Sequence, residues 1–152
     1  MKFSAYDRDY HQWLEAQIRA IQTAQFHQLD THHLIEELKA VAKRDKRDLG
    51  FHLKRMLYYQ LRWQCHPERR KFPRLRPGPR YGIWHSTIQD SREHIRRILA
   101  DSPSLRDHLE AILAQEYAQA RLDVAQTEGV RPAIFPRTCK WSLQDLLAED
   151  QD

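Results

Sequence analysis

Glycine is nearly missing from this chain, with four residues in 152. Tight hairpin turns and left-handed backbone rely on glycine, so its scarcity argues for long regular elements and few sharp reversals. Valine is scarce as well, and no segment alternates apolar and polar residues with the period of two that a half-buried strand requires. Sheet-based folds are excluded on that ground, and the class is all-α. Only two cysteines occur, Cys65 and Cys139, with neither a disulfide framework nor a CxxC knuckle. Free thiols in a reducing cytoplasm are the expectation for both. Every apolar run is broken by charge within a few residues, far short of the ~20 that cross a bilayer. The start, MKFSAYDRDYHQWLE, has no apolar centre and no small-residue cleavage motif, so no secretory leader is read there. A cytoplasmic protein with no membrane association is expected.

What the chain does contain is helical periodicity from end to end. Tyr6, Tyr10, Trp13, Leu14, Ile18 and Ile21 recur at three- and four-residue steps and predict a first helix over about 5–24. Asp30 is placed to cap a second helix, with Glu36 and Glu37 near its positive end. Leu34, Leu38, Val41, Leu49, Leu53, Met56, Leu57 and Trp63 carry its apolar stripe to about Gln64. This reads as one long helix bent near Gly50, or as two helices meeting there. Trp84, Ile88, Ile95, Ile98 and Leu99 define a third helix ending near Ala100. Ser102 as cap and Pro103 at the first helical position open a fourth, which stops near Gly129. Ser142 with Asp145 forms an approximate capping box for a short last helix. The expected architecture is a bundle of four main helices plus a short C-terminal one, with mainly antiparallel neighbours, in a single domain over 1–152.

Charge is distributed unevenly. From Lys43 to Arg80 there are thirteen Lys or Arg against three acidic residues, so the remainder of a chain of net charge +4 is acidic. The densest part is a stiff connector at about 66–81, punctuated by Pro67, Pro73, Pro77 and Pro79. It interleaves Arg69, Arg70, Lys71, Arg74, Arg76 and Arg80 with Phe72 and Tyr81, and Trp84 follows. Arginine forks suit phosphate oxygens, and their planes stack on bases as aromatic rings do. Prolines hold a segment extended and so reduce the ordering entropy lost on binding. Lys43, Arg44, Lys46, Arg47, Lys54 and Arg55 on the second helix would extend the same surface. DNA-reading motifs are missing, so the expected contact is a non-specific one to phosphate, on RNA or another nucleic acid, or to an acidic protein.

The stretches YDRDYHQWLE, LIEEL, LRWQCHPERR, IWHSTIQDSREHI, DSPSL, YAQAR and FPRTCKWSLQDLL occur in this order. The chain thereby resembles domain of unknown function family 29, a bacterial family frequent in cyanobacteria, over nearly its whole length. That resemblance implies an all-helical fold and brings no established activity. Family members usually have a His where this chain has Tyr59, and commonly a shorter connector.

Enzyme chemistry has thinner support. His32 and His33 stand four residues before Glu36 and Glu37 near one helix start, but a bundle metal site draws such pairs from two helices, and no second Glu-x-x-His or His-x-x-x-His occurs. No metal and no cofactor is expected. Metal-independent ribonuclease chemistry would need a His as acid or base and an Arg on the phosphate. Arg47 and His52 in RDLGFH, and Arg80 and His85 in RYGIWH, have that composition. With eighteen Arg and nine His, about one such pair is expected by chance at each spacing, so the motif discriminates poorly. A binding module is the leading expectation. A structural or complex subunit, homo-oligomeric or otherwise, using an apolar face such as Trp13–Ile18, competes with it.

Overall fold

A computed structural model describes residues 4–67 and 82–148. The described residues are helical with no strand, in the order α1 (Ala5–Arg8), α2 (Tyr10–Gln22), α3 (Thr31–Cys65), α4 (Gly82–Asp101), α5 (Leu109–Glu128) and α6 (Leu143–Leu147). Short 3-10 turns cover Phe26–Gln28, Pro103–His108 and Pro132–Ile134. The chain divides into two compact units, Met1–Arg44 and Asp45–Asp152, with α3 contributing to both.

The predicted first helix is two helices. Asp9 is extended (φ −154°, ψ 92°) because its carboxylate caps α2, accepting from the Gln12 N–H at 2.9 Å. Ser4 and Asp7 form a reciprocal capping box on the single turn of α1. In this N-terminal unit Trp13, Gln17 and Ala20 are the buried line of α2. The apolar stripe read from the sequence lies to one side of it, which leaves Ile18 and Ile21 exposed while Trp13 is buried. Asp30 holds the start of α3 as predicted: it accepts from the His33 N–H and ring and from Trp13 Nε1. Tyr6 and Tyr10 both donate to the Glu37 carboxylate, at 2.5 and 2.9 Å, and the Tyr6 ring stacks on His33 at 4.2 Å.

Helix α3 runs 35 residues without interruption, through Gly50, and is about 52 Å long at 1.5 Å per residue. In the second unit its residues Leu49, Leu53, Met56, Leu57 and Leu61 build the core with Ile95 and Leu99 of α4 and Leu109, Leu113, Tyr117, Ala120 and Val124 of α5. Ring contacts between His52 and His94 and between Tyr59 and Trp84 show that α3 and α4 are antiparallel. Lys54–Asp123, Tyr58–Thr127 and Arg62–Glu128 rise together along both chains, so α3 and α5 run parallel.

The small α6 closes the unit. Ser142 and Asp145 form the predicted capping box, and Leu146 is fully buried. Buried Arg92 donates Nε–H to the Leu146 carbonyl at 2.9 Å, and Arg96 reaches the Leu147 carbonyl. These guanidinium groups satisfy carbonyls that a five-residue helix leaves open at its C-terminal end. Helix α5 stops at Gly129, in the left-handed conformation (φ 65°), as the sequence implies. Its start differs from expectation. Pro103 opens a 3-10 segment, the Ser102 side chain makes no capping bond, and the α-helix begins only at Leu109.

Candidate functional site

The connector residues singled out by sequence, Arg69, Arg70, Lys71, Phe72, Arg74, Arg76, Arg80 and Tyr81, lie outside the described residues. Their flanks are described. Trp63, near the end of α3, meets Trp84, near the start of α4, edge to face at 6.4 Å. His66 stacks on Trp63 at 5.3 Å and stands 6.1 Å from Trp84, while Tyr59 approaches the same indole at 6.0 Å. The Arg62 guanidinium lies 4.6 Å from the centre of the Trp84 ring and pairs with Glu128 at 2.5 Å. Aromatic edge-to-face and cation–π contacts of this kind each contribute on the order of 1 kcal/mol. Together they hold the two ends of the basic segment at one end of the second unit.

The basic residues predicted on α3 separate into two groups. Lys43, Arg44, Lys46 and Arg47 are exposed, and among the described residues none of them forms an ion pair. Lys54 is held by Asp123 at 2.7 Å, which also lowers the Asp123 pKa, so Lys54 does not add to the exposed charge. Arg55 is half-buried beside His52.

Arg47 and His52 are on one unbroken helix, where a five-residue step turns a side chain by roughly 140°. No hydrogen bond joins them. His52 instead lies flat on His94 of α4, with ring centres 4.5 Å apart and planes 16° from parallel. Its Nδ1 is buried without a partner. Burial pushes the His52 pKa down, the neighbouring His94 and Arg55 push it further down, and Asp48 opposes them. His94 donates Nδ1–H to the Asp90 carbonyl at 2.7 Å. His94 escaped the sequence reading because nothing local links it to His52; only the antiparallel pairing of α3 and α4 does.

The model of the family described as "Domain of unknown function DUF29" matches residues 5–151. The chain belongs to this family. No curated protein and no solved structure matches it. Membership of DUF29 fixes no reaction, so the remaining chemistry is read from the residues themselves.

His33 is occupied with Asp30 and Tyr6, and among the described residues no group of three or more His, Cys, Asp or Glu is placed to hold a metal ion. Neither Cys65 nor Cys139 is in a disulfide, and burial pushes the Cys139 thiol up, which keeps it protonated at neutral pH. Cys139 lines a half-open cleft of about 320 Å³ with Leu113, Tyr117, Arg137 and Trp141. The Tyr117 hydroxyl on its wall already donates to the Pro136 carbonyl. No helix of the described residues is long and apolar enough to cross a membrane.

Proposed function

We propose that this protein is a polyanion-binding module that contacts a nucleic-acid backbone through the basic segment from Lys43 to Arg80. The observation that carries the reading is the contrast in how its basic side chains are used. Lys39, Lys54 and Arg97 are neutralised by carboxylates, whereas Lys43, Arg44, Lys46 and Arg47 are exposed and pair with no carboxylate of the described residues. Further along the chain the sequence adds Arg69, Arg70, Lys71, Arg74, Arg76 and Arg80 in the connector. Clustered unpaired cations attract a polyanion, and extended arginine segments suit single strands, with RNA as the expected form.

Binding of a single-stranded RNA at three salt concentrations tests this. With about four to six phosphate contacts, log affinity should fall with log salt at a slope of about −3 to −4. Changing Arg69, Arg70, Arg74 and Arg76 together to Gln should flatten the slope by about one unit or more. Weak binding that these changes leave untouched removes the nucleic-acid reading. An acidic protein then becomes the polyanion to test.

A second reading has its own observation. The N-terminal unit leaves Ile18, Ile21, Phe26, Ile35, Leu38 and Val41 exposed, Leu38 at 68%. Apolar side chains gathered in this number suit a protein partner or a second copy of the chain. Sizing the nuclease-treated protein separates the two readings. A mass above the monomer that persists after nuclease favours the complex-subunit role.

A further inference from the structure

We propose that the stacked His52–His94 pair is a pH-sensitive clasp on the seam between α3 and α4, closed while His52 is neutral and loosened when acid charges it. This goes beyond the polyanion reading and does not depend on it.

The stack joins two helices that are distant in sequence, with rings nearly parallel at 4.5 Å and the Phe51 ring set edge-on against His52 at 5.1 Å. His52 is half-buried, and its Nδ1 is buried with no partner to help it carry a charge. Two imidazolium rings at this separation repel each other, so the closed stack tolerates at most one proton on the pair. The surrounding charges do not compensate. On α3, Asp48 favours a charged His52 and Arg55 opposes it. On α4, Glu93 is spent on Arg97 at 3.0 Å, and Asp90 meets His94 through its carbonyl oxygen. The His52 pKa is accordingly depressed, first by burial and then by His94.

The sign follows from proton linkage. A histidine is ordinarily half-protonated near pH 6.5, and the unfolded chain takes up that proton before the folded one does. The stability contributed by the neutral stack is therefore complete above about pH 6.5. It is lost as the pH falls from there toward the folded pKa of His52.

The test uses the full chain. NMR titration of the imidazole Cε1–H signals should give His52 a midpoint below about 6.5, and His94→Gln should move it upward. The urea midpoint of the wild type should fall between pH 7.5 and pH 5.5, and His52→Gln should shrink that fall by at least half. His94 is exposed, so its replacement leaves the core intact. A His52 midpoint at or above 6.5, a midpoint unmoved in His94→Gln, or an undiminished fall in His52→Gln would each overturn the clasp.

Discussion

The carboxylate of Glu116 on α5 lies over Gly50 on α3, so close that a Cβ added to the glycine would stand 2.9 Å from Oε1. Gly50 therefore marks a close approach of a neighbouring side chain, and the helix continues unbroken through it.

A double-mutant cycle separates the two effects at Gly50. Alanine is favoured over glycine inside a helix by about 1 kcal/mol, while its methyl group displaces the end of the flexible Glu116 side chain. Gly50→Ala alone should change stability little. In a Glu116→Ala background the same change should stabilise by about 0.5–1 kcal/mol, read from urea midpoints.

Glu116 should also show itself in pH dependence. Burial raises its pKa and Asp123 adds to this, while Lys54 acts against it. The folded state thus holds this proton more tightly than the unfolded chain, and ionising Glu116 above its folded pKa costs stability. Glu116→Gln should stabilise at pH 7 by up to about 1 kcal/mol, screened because the side chain is only half-buried, and should make no difference at pH 4. An advantage of equal size at both pH values would point to packing instead of charge.

Two serines in similar sequence settings should behave differently. Ser142 accepts from the Asp145 N–H at 3.1 Å, and Asp145 bonds back to the Ser142 N–H at 2.8 Å. Ser142→Ala should therefore cost about 0.5–2 kcal/mol. Ser102 makes no such bond, so Ser102→Ala should stay within about 0.5 kcal/mol of wild type. Thermal unfolding of both variants decides it.

Arg92 is 3% exposed, and its guanidinium serves the Leu146 carbonyl and the Gln89 side chain. Arg92→Ala strands a carbonyl and opens a space beside the core, and should cost about 2–4 kcal/mol in urea unfolding. Arg92→Lys should recover only part, because one ammonium cannot reproduce the fork. Full recovery would show that charge alone matters at this position.

Features set by neighbouring residues were legible in the sequence. The Asp30 cap, the Gly129 stop and the Ser142–Asp145 box each depend on side chains within a few positions of the backbone they satisfy. The break at Asp9 is local too, yet it was hidden because apolar spacing runs straight through it. At Pro103, a residue suited to opening an α-helix instead opened a 3-10 segment. The stripe on α2 misled because polar Gln17 occupies the buried line, where its Oε1 accepts from the Asp30 N–H. The stacking of His52 on His94 and the perch of Glu116 above Gly50 were beyond reach, since each depends on how separate helices register. The excess of basic residues from Lys43 to Arg80 was visible in the sequence, but which of them are paired was not.

The parallel pairing of α3 with α5 sets an order of assembly. Lys54, Tyr58 and Arg62 find their partners at Asp123, Thr127 and Glu128, and Arg92 finds its own at Leu146, so the stabilising contacts are made across long stretches of chain. When α3 and α4 have emerged from the ribosome, Leu49, Leu53, Met56 and Leu57 still lack the α5 side of their core. That side arrives only with Leu109–Glu128, and the latch at Leu146 follows later still. A nascent chain halted shortly after Asp101 would present a greasy, unfinished helix pair to chaperones and proteases, and one extended past Leu147 would not.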